Sequence, residues 1–409
     1  MPFVRMGIHY QKRKGVVHIS DTTLRDGEQT LGVRFRPEAK VAIVRALARA
    51  GVHSIDAGFP AAAPEEIEAI RRITLEARGG PVITALCRTV HSDIDRAAEA
   101  LQARWFNKKG VTLFLGVSPQ HRQYKHGKSK AEIVQIAVDA ITYARRFFTT
   151  VAFGPEDASR AEPDFLHEVY REAIAAGASS VGFTDTVGIL TPEKAADRIK
   201  GIQDTVPNLG HALLGVHFHN DLGLATANAL ACVAQGVDVV QGTINGLGER
   251  AGNTALEEVV MALHLHRDQY GVDCGVNPHH LYELSRLVAR LGSYSLPPNK
   301  PVVGDNLFLT EAGIHQDGLL KDVSTYVPFL PEEIGAGPVH LVLGKHSGRH
   351  AVRHCLEQLG RNLTEEQVQK VLDHLKDGAA KPAYASEADF DLLLREVFGE
   401  PEKVPPGSS

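Results

Sequence analysis

The chain lacks most of what would set it apart from ordinary globular proteins. Its four cysteines, Cys87, Cys232, Cys274 and Cys355, lie far apart with no C-x-x-C pair. That spacing excludes a disulfide framework or zinc knuckle and leaves buried, reduced thiols. No apolar run approaches the roughly 18 residues of a membrane span, and the N-terminus MPFVRMGIHYQKRKG has no apolar stretch of the signal-peptide kind. A cytoplasmic protein with no membrane association is therefore expected. Formal charge is −5 with acids and bases interleaved, so no basic stripe points to nucleic acid. The short cluster QKRKG (11–15) reads as part of a solvated N-terminal arm. No G-x-G-x-x-G follows the first strand-like run and no Walker-type loop occurs, which argues against a nucleotide-binding open sheet.

Short β-branched runs alternate with segments of helical periodicity. The runs cover 16–24, 54–59, 81–86, 111–117, 150–156, 180–185, 213–220 and 239–246. The segments between them, such as RPEAKVAIVRALARAG and TPEKAADRIKGIQDTV, open with Pro or Thr, as helix starts do. Eight β-then-α units over about 250 residues match an α/β fold of the (β/α)8 TIM-barrel kind. The expected organisation is an arm over 1–15 and a catalytic barrel over 16–280. A linker and subdomain follow over 281–350, then a C-terminal helical subdomain over 351–403 and a tail over 404–409. LTEEQVQKVLDHLKDGA and SEADFDLLLREVF predict two amphipathic helices in that extension.

A barrel of this kind carries its chemistry where strands end and βα loops begin. Polar, non-periodic residues recur there: DTTLRDGEQ (21–29), PED (155–157), TDT (184–186), HFHND (217–221) and NGLGERAGN (245–253). In GVHFHND, strand alternation puts His217 and His219 on one side and Phe218 on the other. Two core histidines would satisfy those seven residues alone. Placed at the end of the seventh strand, beside an acidic loop ending the first, the pair instead reads as part of a metal site. Asp26 is the best carboxylate candidate and Asn253 a neutral oxygen ligand; such mixed ligands with open positions suit catalytic Mg²⁺, Mn²⁺ or Zn²⁺ alike. Arg25, next to Asp26, is placed to stabilise an alkoxide formed on a bound 2-oxo acid.

DTTLRDGEQ, DTVG, HFHNDLGLA, NGLGERAGN, GIHQDGLLKD and LGKHSGR occur in that order. Together they resemble the 2-isopropylmalate synthase and homocitrate synthase family, over residues from about 16 to about 350. The resemblance implies a metal-dependent barrel enzyme that condenses acetyl-CoA with a 2-oxo acid. It implies Asp26, His217 and His219 as metal ligands with Asn253 at or near the ion, and Arg25 as electrostatic catalyst. Gln29 would lie near the substrate carboxylate, and Glu156 and Thr186 would line the oxo-acid pocket. It also implies a homodimer with composite active sites, in which His315 and Tyr326 reach the neighbouring subunit's site and act in proton transfer. About 60 residues follow GKHSGR, fewer than a leucine-binding regulatory domain needs, so feedback through such a domain is not expected.

The identity of the oxo acid rests on fewer positions. EDASR (156–160) and LGLATANALA (222–231) are similar to nitrogen-fixation-type homocitrate synthase, whereas AGFPAAAP (57–64) and GIHQDG (313–318) are similar to isopropylmalate synthase. Thr184 stands where isopropylmalate synthases commonly have Pro. Arg122, with His121 beside it, matches an arginine of lysine-pathway homocitrate synthases, although those enzymes carry Arg where this chain has Ala152. An arginine facing the pocket favours a second anionic group. The expected substrate is thus 2-oxoglutarate. 2-Oxoisovalerate and an aryl- or phosphono-pyruvate are the alternatives, and a C–C lyase of the same barrel superfamily is the alternative reaction class. NGLGERAGN and the His315 segment argue against the lyase, and the intact Arg25 and ligand set argue against a non-catalytic binding protein.

Overall fold

The computed structural model describes residues 15–77, 80–101, 108–377 and 383–399. They form two compact units, 1–296 and 297–409. The expected arm, except Gly15, and the 404–409 tail lie outside the described residues.

The first unit is a closed barrel of eight parallel strands in sequential order. Its elements run β1 (His18–Asp21), α1 (Pro37–Ala50), β2 (Ser54–Asp56), α2 (Pro64–Glu76), β3 (Val82–Arg88), α3 (His91–Ala100), β4 (Lys109–Gly116) and α4 (Lys130–Ala144). They continue through β5 (Thr150–Glu156), α5 (Pro163–Ala175), β6 (Ser180–Asp185), α6 (Pro192–Thr205), β7 (Leu213–Phe218), α7 (Ala225–Ala234), β8 (Val239–Gly242) and α8 (Leu256–Leu265). A short α9 (Arg267–Tyr270) and then α10 (Leu281–Leu291) complete the unit. Closure comes from β1, which pairs with β2 through Ser20↔Ser54 and with β8 through Ser20↔Gln241.

Local chemistry sets the helix starts. Proline occupies the first turn of α1, α2, α5 and α6, where its missing N–H goes unneeded and its fixed φ suits the helix. α4 opens instead on a reciprocal capping box between Ser129 and Glu132. Alternation then divides each strand. Leu113, Phe153, Val181, Phe183, Val216 and Phe218 are buried on the helix-facing side, each contributing ~1.5–3 kcal/mol of burial. The opposite set, including Ser20, Thr112, Gly154, Gly182 and His217, faces the barrel axis.

The barrel boundary expected at 280 is displaced. α10 begins at Leu281 and packs on α1, so the first unit runs to residue 296. The linker expected from 281 starts too early, because the Pro/Gly/Asn-rich stretch SYSLPPNKPVVGDNLF begins only at 293 and a helix precedes it. α10 carries apolar residues at helical spacing and buries Leu281, Leu284 and Val288.

The second unit contains β9 (Leu309–Thr310), α11 (Gly313–Lys321), β10 (His340–Leu341), α12 (Arg349–Gln358), α13 (Glu365–Lys376) and α14 (Glu387–Phe398). The two helices predicted for the extension are α13 and α14, each opened by a capping box, Thr364 with Gln367 and Ser386 with Asp389. Leu343, Val352, Leu356, Val371, Tyr384 and Leu393 form a core of this unit's own. No single domain therefore starts at 351: that core draws on residues before and after it. Among the described residues no helix is long and apolar enough to cross a membrane, and all four cysteines are buried and free.

Candidate active site

The loop after β1 is a tight turn. The Thr22 carbonyl accepts N–H bonds from Arg25, Asp26 and Gly27 at 3.1, 2.9 and 3.1 Å. Asp21 fixes its entry by accepting from the Thr23 amide at 3.0 Å and the Thr23 hydroxyl at 2.7 Å. The Thr23 hydroxyl in turn accepts from the Ile244 amide at 2.9 Å, joining the loops after the first and last strands. That turn lifts Arg25 and Asp26 onto the C-terminal rim. Arg25 donates from Nε to Asp56 at 2.8 Å, and its Nη1 lies 3.1 Å from Asp26 Oδ2.

On β7, separated from β1 only by β8, Phe218 turns outward beside Phe183 while His217 points inward. His217 Nε2 lies 3.3 Å from Asp26 Oδ2, and the two imidazole rings are 5.1 Å apart. Asp26, His217 and His219 each offer one ligand atom, and these atoms lie within 4.8 Å of one another. Burial pushes the His217 imidazole down to about 3 and also lowers His219, so both are neutral near pH 7 with lone pairs available. Burial works to raise the Asp26 carboxyl, but Arg25, the two histidines and Asn253 together hold it below the usual range. An ionised carboxylate and two neutral imidazoles form the donor set a divalent ion requires. A further observation fits: the Asn253 Oδ1 is buried with no hydrogen-bond partner, while its Nδ2 donates to the Leu247 carbonyl at 3.0 Å. Gly252 sets that loop with φ +90°, and a Cβ there would strike the Gly246 carbonyl.

Above the cluster lies a cleft of about 250 Å³. Eight of the residues picked from the sequence line it: Arg25, Asp26, Gln29, Glu156, Thr184, Thr186, His217 and His219. Thr186 accepts the Asp157 amide at 2.8 Å, and Glu156 takes Lys125 Nζ at 2.6 Å.

His121 and Arg122 are placed otherwise. Both sit in a π-helical turn, His121–His126, that follows β4. The ring of His121 lies 3.7 Å from both Glu156 and Asp157. Arg122 makes a two-pronged pair with Glu162 at 2.9 and 2.8 Å, donates to the Val117 carbonyl at 2.6 Å and stacks over Phe165 at 4.8 Å. The Arg122 hydrogen bond holds the Glu162 carboxyl down at about 2 against the effect of its burial. The arginine thus spends its charge on α5 and does not line the cleft. His315 and Tyr326 belong to the second unit, where they are exposed with rings 4.2 Å apart.

Asp56, Gln241 and Arg250 were not among the residues chosen from the sequence. Asp56 ends a three-residue strand and is buried against Arg25. Its signal was a carboxylate closing an apolar run. Gln241 shows only in the alternation of β8 and its register with His217. Arg250 has φ 57° and is held by Asp221 at 2.8 and 2.9 Å and by the Thr186 carbonyl at 2.6 Å. Nothing short of the folded loop would place it in the cleft.

Residues 16–288 match the HMGL-like family, and residues 302–383 match the homocitrate synthase post-HMGL domain-like family. A curated 2-isopropylmalate synthase of Pyrococcus furiosus is 45% identical over 94% of this chain and 76% of its own length. One from Nitratidesulfovibrio vulgaris is 42% identical over 95% and 75%. The chain belongs to the 2-isopropylmalate synthase and homocitrate synthase family. It is accordingly an acyltransferase of the condensing type, and the family depends on a metal and uses acetyl-CoA. Among solved structures, hydroxymethylglutaryl-CoA lyase of Pseudomonas aeruginosa aligns with a TM-score of 0.59 at 22% identity, covering 70% of this chain and 96% of that one. The carboxyl transferase domain of Rhizobium etli pyruvate carboxylase gives 0.53 at 19%, covering 69% and 48%. Those two likenesses show the barrel fold.

Proposed function

We propose that this condensing enzyme joins acetyl-CoA to 2-oxoisovalerate to give 2-isopropylmalate, and that 2-oxoglutarate is not its preferred acceptor. The name carried by the curated relatives supports this substrate. The observation that carries the choice is Arg122. Its guanidinium is matched to Glu162 and turned from the cleft, so the cation expected to bind a distal carboxylate is spent elsewhere. The two arginines that do line the cleft are paired with Asp56, Asp26 and Asp221.

In the reaction, the acetyl methyl of acetyl-CoA gives up a proton and its carbon bonds to C2 of the oxo acid. The carbonyl oxygen becomes a hydroxyl, and water then cleaves the thioester to release CoA. Asp26, His217, His219 and the Asn253 oxygen would hold a divalent ion, whose positive charge would polarise the acceptor carbonyl. Arg25, fixed by Asp56, offers a second preorganised charge for the developing oxyanion. Gln29 orients the substrate carboxylate, and Glu156, Thr184 and Thr186 surround the reacting end. Imidazole has a basicity suited to taking the methyl proton; we assign that step to His315 with Tyr326, supplied across a homodimer to the partner's barrel.

The test is release of free thiol from acetyl-CoA against a panel of 2-oxo acids. Expected are a kcat/KM for 2-oxoisovalerate at least about tenfold above that for 2-oxoglutarate and loss of turnover with chelator, restored by added Mg²⁺, Mn²⁺ or Zn²⁺. His217→Ala should remove turnover with its circular dichroism intact. A preference for 2-oxoglutarate would overturn the substrate, and no thiol release from any acid would overturn the reaction.

A further inference from the structure

TIM-barrel interiors are ordinarily filled by layers of large branched side chains. This one is not. Directly beneath the catalytic cleft lies a cavity of about 100 Å³ that shares Thr112, Gly154, Thr184, His217 and Gln241 with it. Below those residues most axis-facing positions carry small groups, among them Ser20, Ser54, Thr84, Thr150, Ser180 and Gly182, with Leu213 and Val239 the larger side chains of the lining. Along β5 and β6 the facing residues are Ala152 opposite Ser180, then Gly154 and Gly182 one step nearer the cleft. At liquid density a water takes about 30 Å³, so the space holds about three water-sized groups beyond those the cleft holds.

We propose that this cavity receives the oxo acid's side chain, so that the enzyme also accepts unbranched, uncharged 2-oxo acids with side chains longer than isopropyl. The proposal rests on the condensing reaction above and extends its substrate class. Three observations support it. The cavity opens at Thr184 and His217, the residues that floor the reacting site, so a chain attached to C2 has a path downward. It contains no lysine or arginine among its lining residues, so a distal carboxylate would be buried without a counter-charge, at a cost of several kcal/mol by general estimates. And its width depends on two glycines that need not be glycine. A Cβ on Gly154 would come no nearer than 3.8 Å to Thr184 Oγ1, and one on Gly182 no nearer than 3.9 Å to the Gly154 Cα. Neither has a positive φ. Their absent side chains leave volume in the path of a substrate chain without relieving any clash or backbone strain. The neighbouring residues Ser20, Ser54, Thr112 and Ser180 bring hydroxyls to the same lining, where they can bond water displaced sideways by such a chain.

The experiment compares 2-oxobutanoate, 2-oxoisovalerate, 2-oxohexanoate and 2-oxoglutarate as acceptors in the thiol-release assay. Expected is a kcat/KM for 2-oxohexanoate within about threefold of that for 2-oxoisovalerate, with 2-oxoglutarate at least about tenfold lower. Gly182→Val, and more weakly Gly154→Ala, should lower the ratio of 2-oxohexanoate to 2-oxobutanoate, by about tenfold for the valine. Thermal midpoints report whether each variant is folded; if neither folds, the wild-type series decides alone. Turnover of 2-oxobutanoate and 2-oxoisovalerate without turnover of 2-oxohexanoate overturns the proposal, as does an equal loss on all acceptors in a folded variant. Failure of every acceptor instead overturns the condensing reaction, and this proposal with it.

Discussion

Asp21 shows how much of this site is decided by the burial of single groups. The carboxyl is fully buried behind the catalytic loop, and burial pushes it up to about 7 although Thr23 donates two hydrogen bonds to it. Its ordinary value is 3.8. Between those two values the folded state binds a proton that the unfolded state has lost. Stability therefore falls as pH rises through that window and levels off above it, opposite to the behaviour of a salt-bridged carboxylate. Asp21→Asn removes the titration and keeps an acceptor for Thr23. The stability advantage of wild type over this variant should shrink by on the order of 2–3 kcal/mol between pH 5 and pH 8, measured by urea denaturation at both. A difference that stays constant with pH would show that Asp21 is ionised in the folded protein throughout. The same physics acts on His217, whose burial keeps it neutral and able to donate a lone pair.

At the scale of elements, the catalytic loop is held from behind by one buried cation. Lys40 on α1 is 2% exposed at its side chain and sits between Glu28 of the loop at 2.7 Å and Glu66 of α2 at 2.8 Å. Glu28 also accepts the Phe35 amide at 2.7 Å, closing the loop back on itself. Lys40→Met leaves two partly buried carboxylates facing each other without their cation, and should cost ~2–4 kcal/mol in urea denaturation. A loss under about 0.5 kcal/mol, ordinary for a surface substitution, would show that the triad holds nothing.

These elements also mark what could be read without coordinates. Strands β5 and β6 match their predicted spans residue for residue, because β-branched runs bounded by helix starts are a local signal. The clustering of Asp26, His217 and His219, a candidate metal site, was legible for a related reason: alternation fixes the side on which His217 emerges, and the fold class fixes the rim. Arg122 was not legible in this way. Its neighbour in space, Glu162, is 40 residues on, and a charge pattern in one segment says nothing about which partner neutralises it. The hollow under the cleft was hidden similarly, since it arises where most of the strands, far apart in sequence, each contribute a small residue facing the axis.

At the scale of the molecule, the two units divide the chemistry assigned to them. Arg25 and the proposed metal ligands lie in the first, His315 and Tyr326 in the second. If His315 serves the partner's barrel, an Arg25→Ala chain and a His315→Ala chain, each inactive alone, should regain activity when co-expressed. A mixed dimer then has one site with both residues intact. With random pairing of a two-fold dimer, about a quarter of wild-type activity is expected. Absence of any recovery in isolated mixed dimers would place His315 with its own barrel or outside the reaction.

The hydrogen bond from Ile244 to Thr23 spans 221 residues of chain and joins the first strand's loop to the last. A ribosome therefore delivers Asp26 long before its histidine partners, and the ligand cluster comes together only when the eighth strand docks against the first. Metal capture at the proposed site would in this sense signal that the circle has closed. An ion that binds only the completed barrel would also stabilise it by mass action, making the proposed catalytic ion a clasp where the eighth strand meets the first.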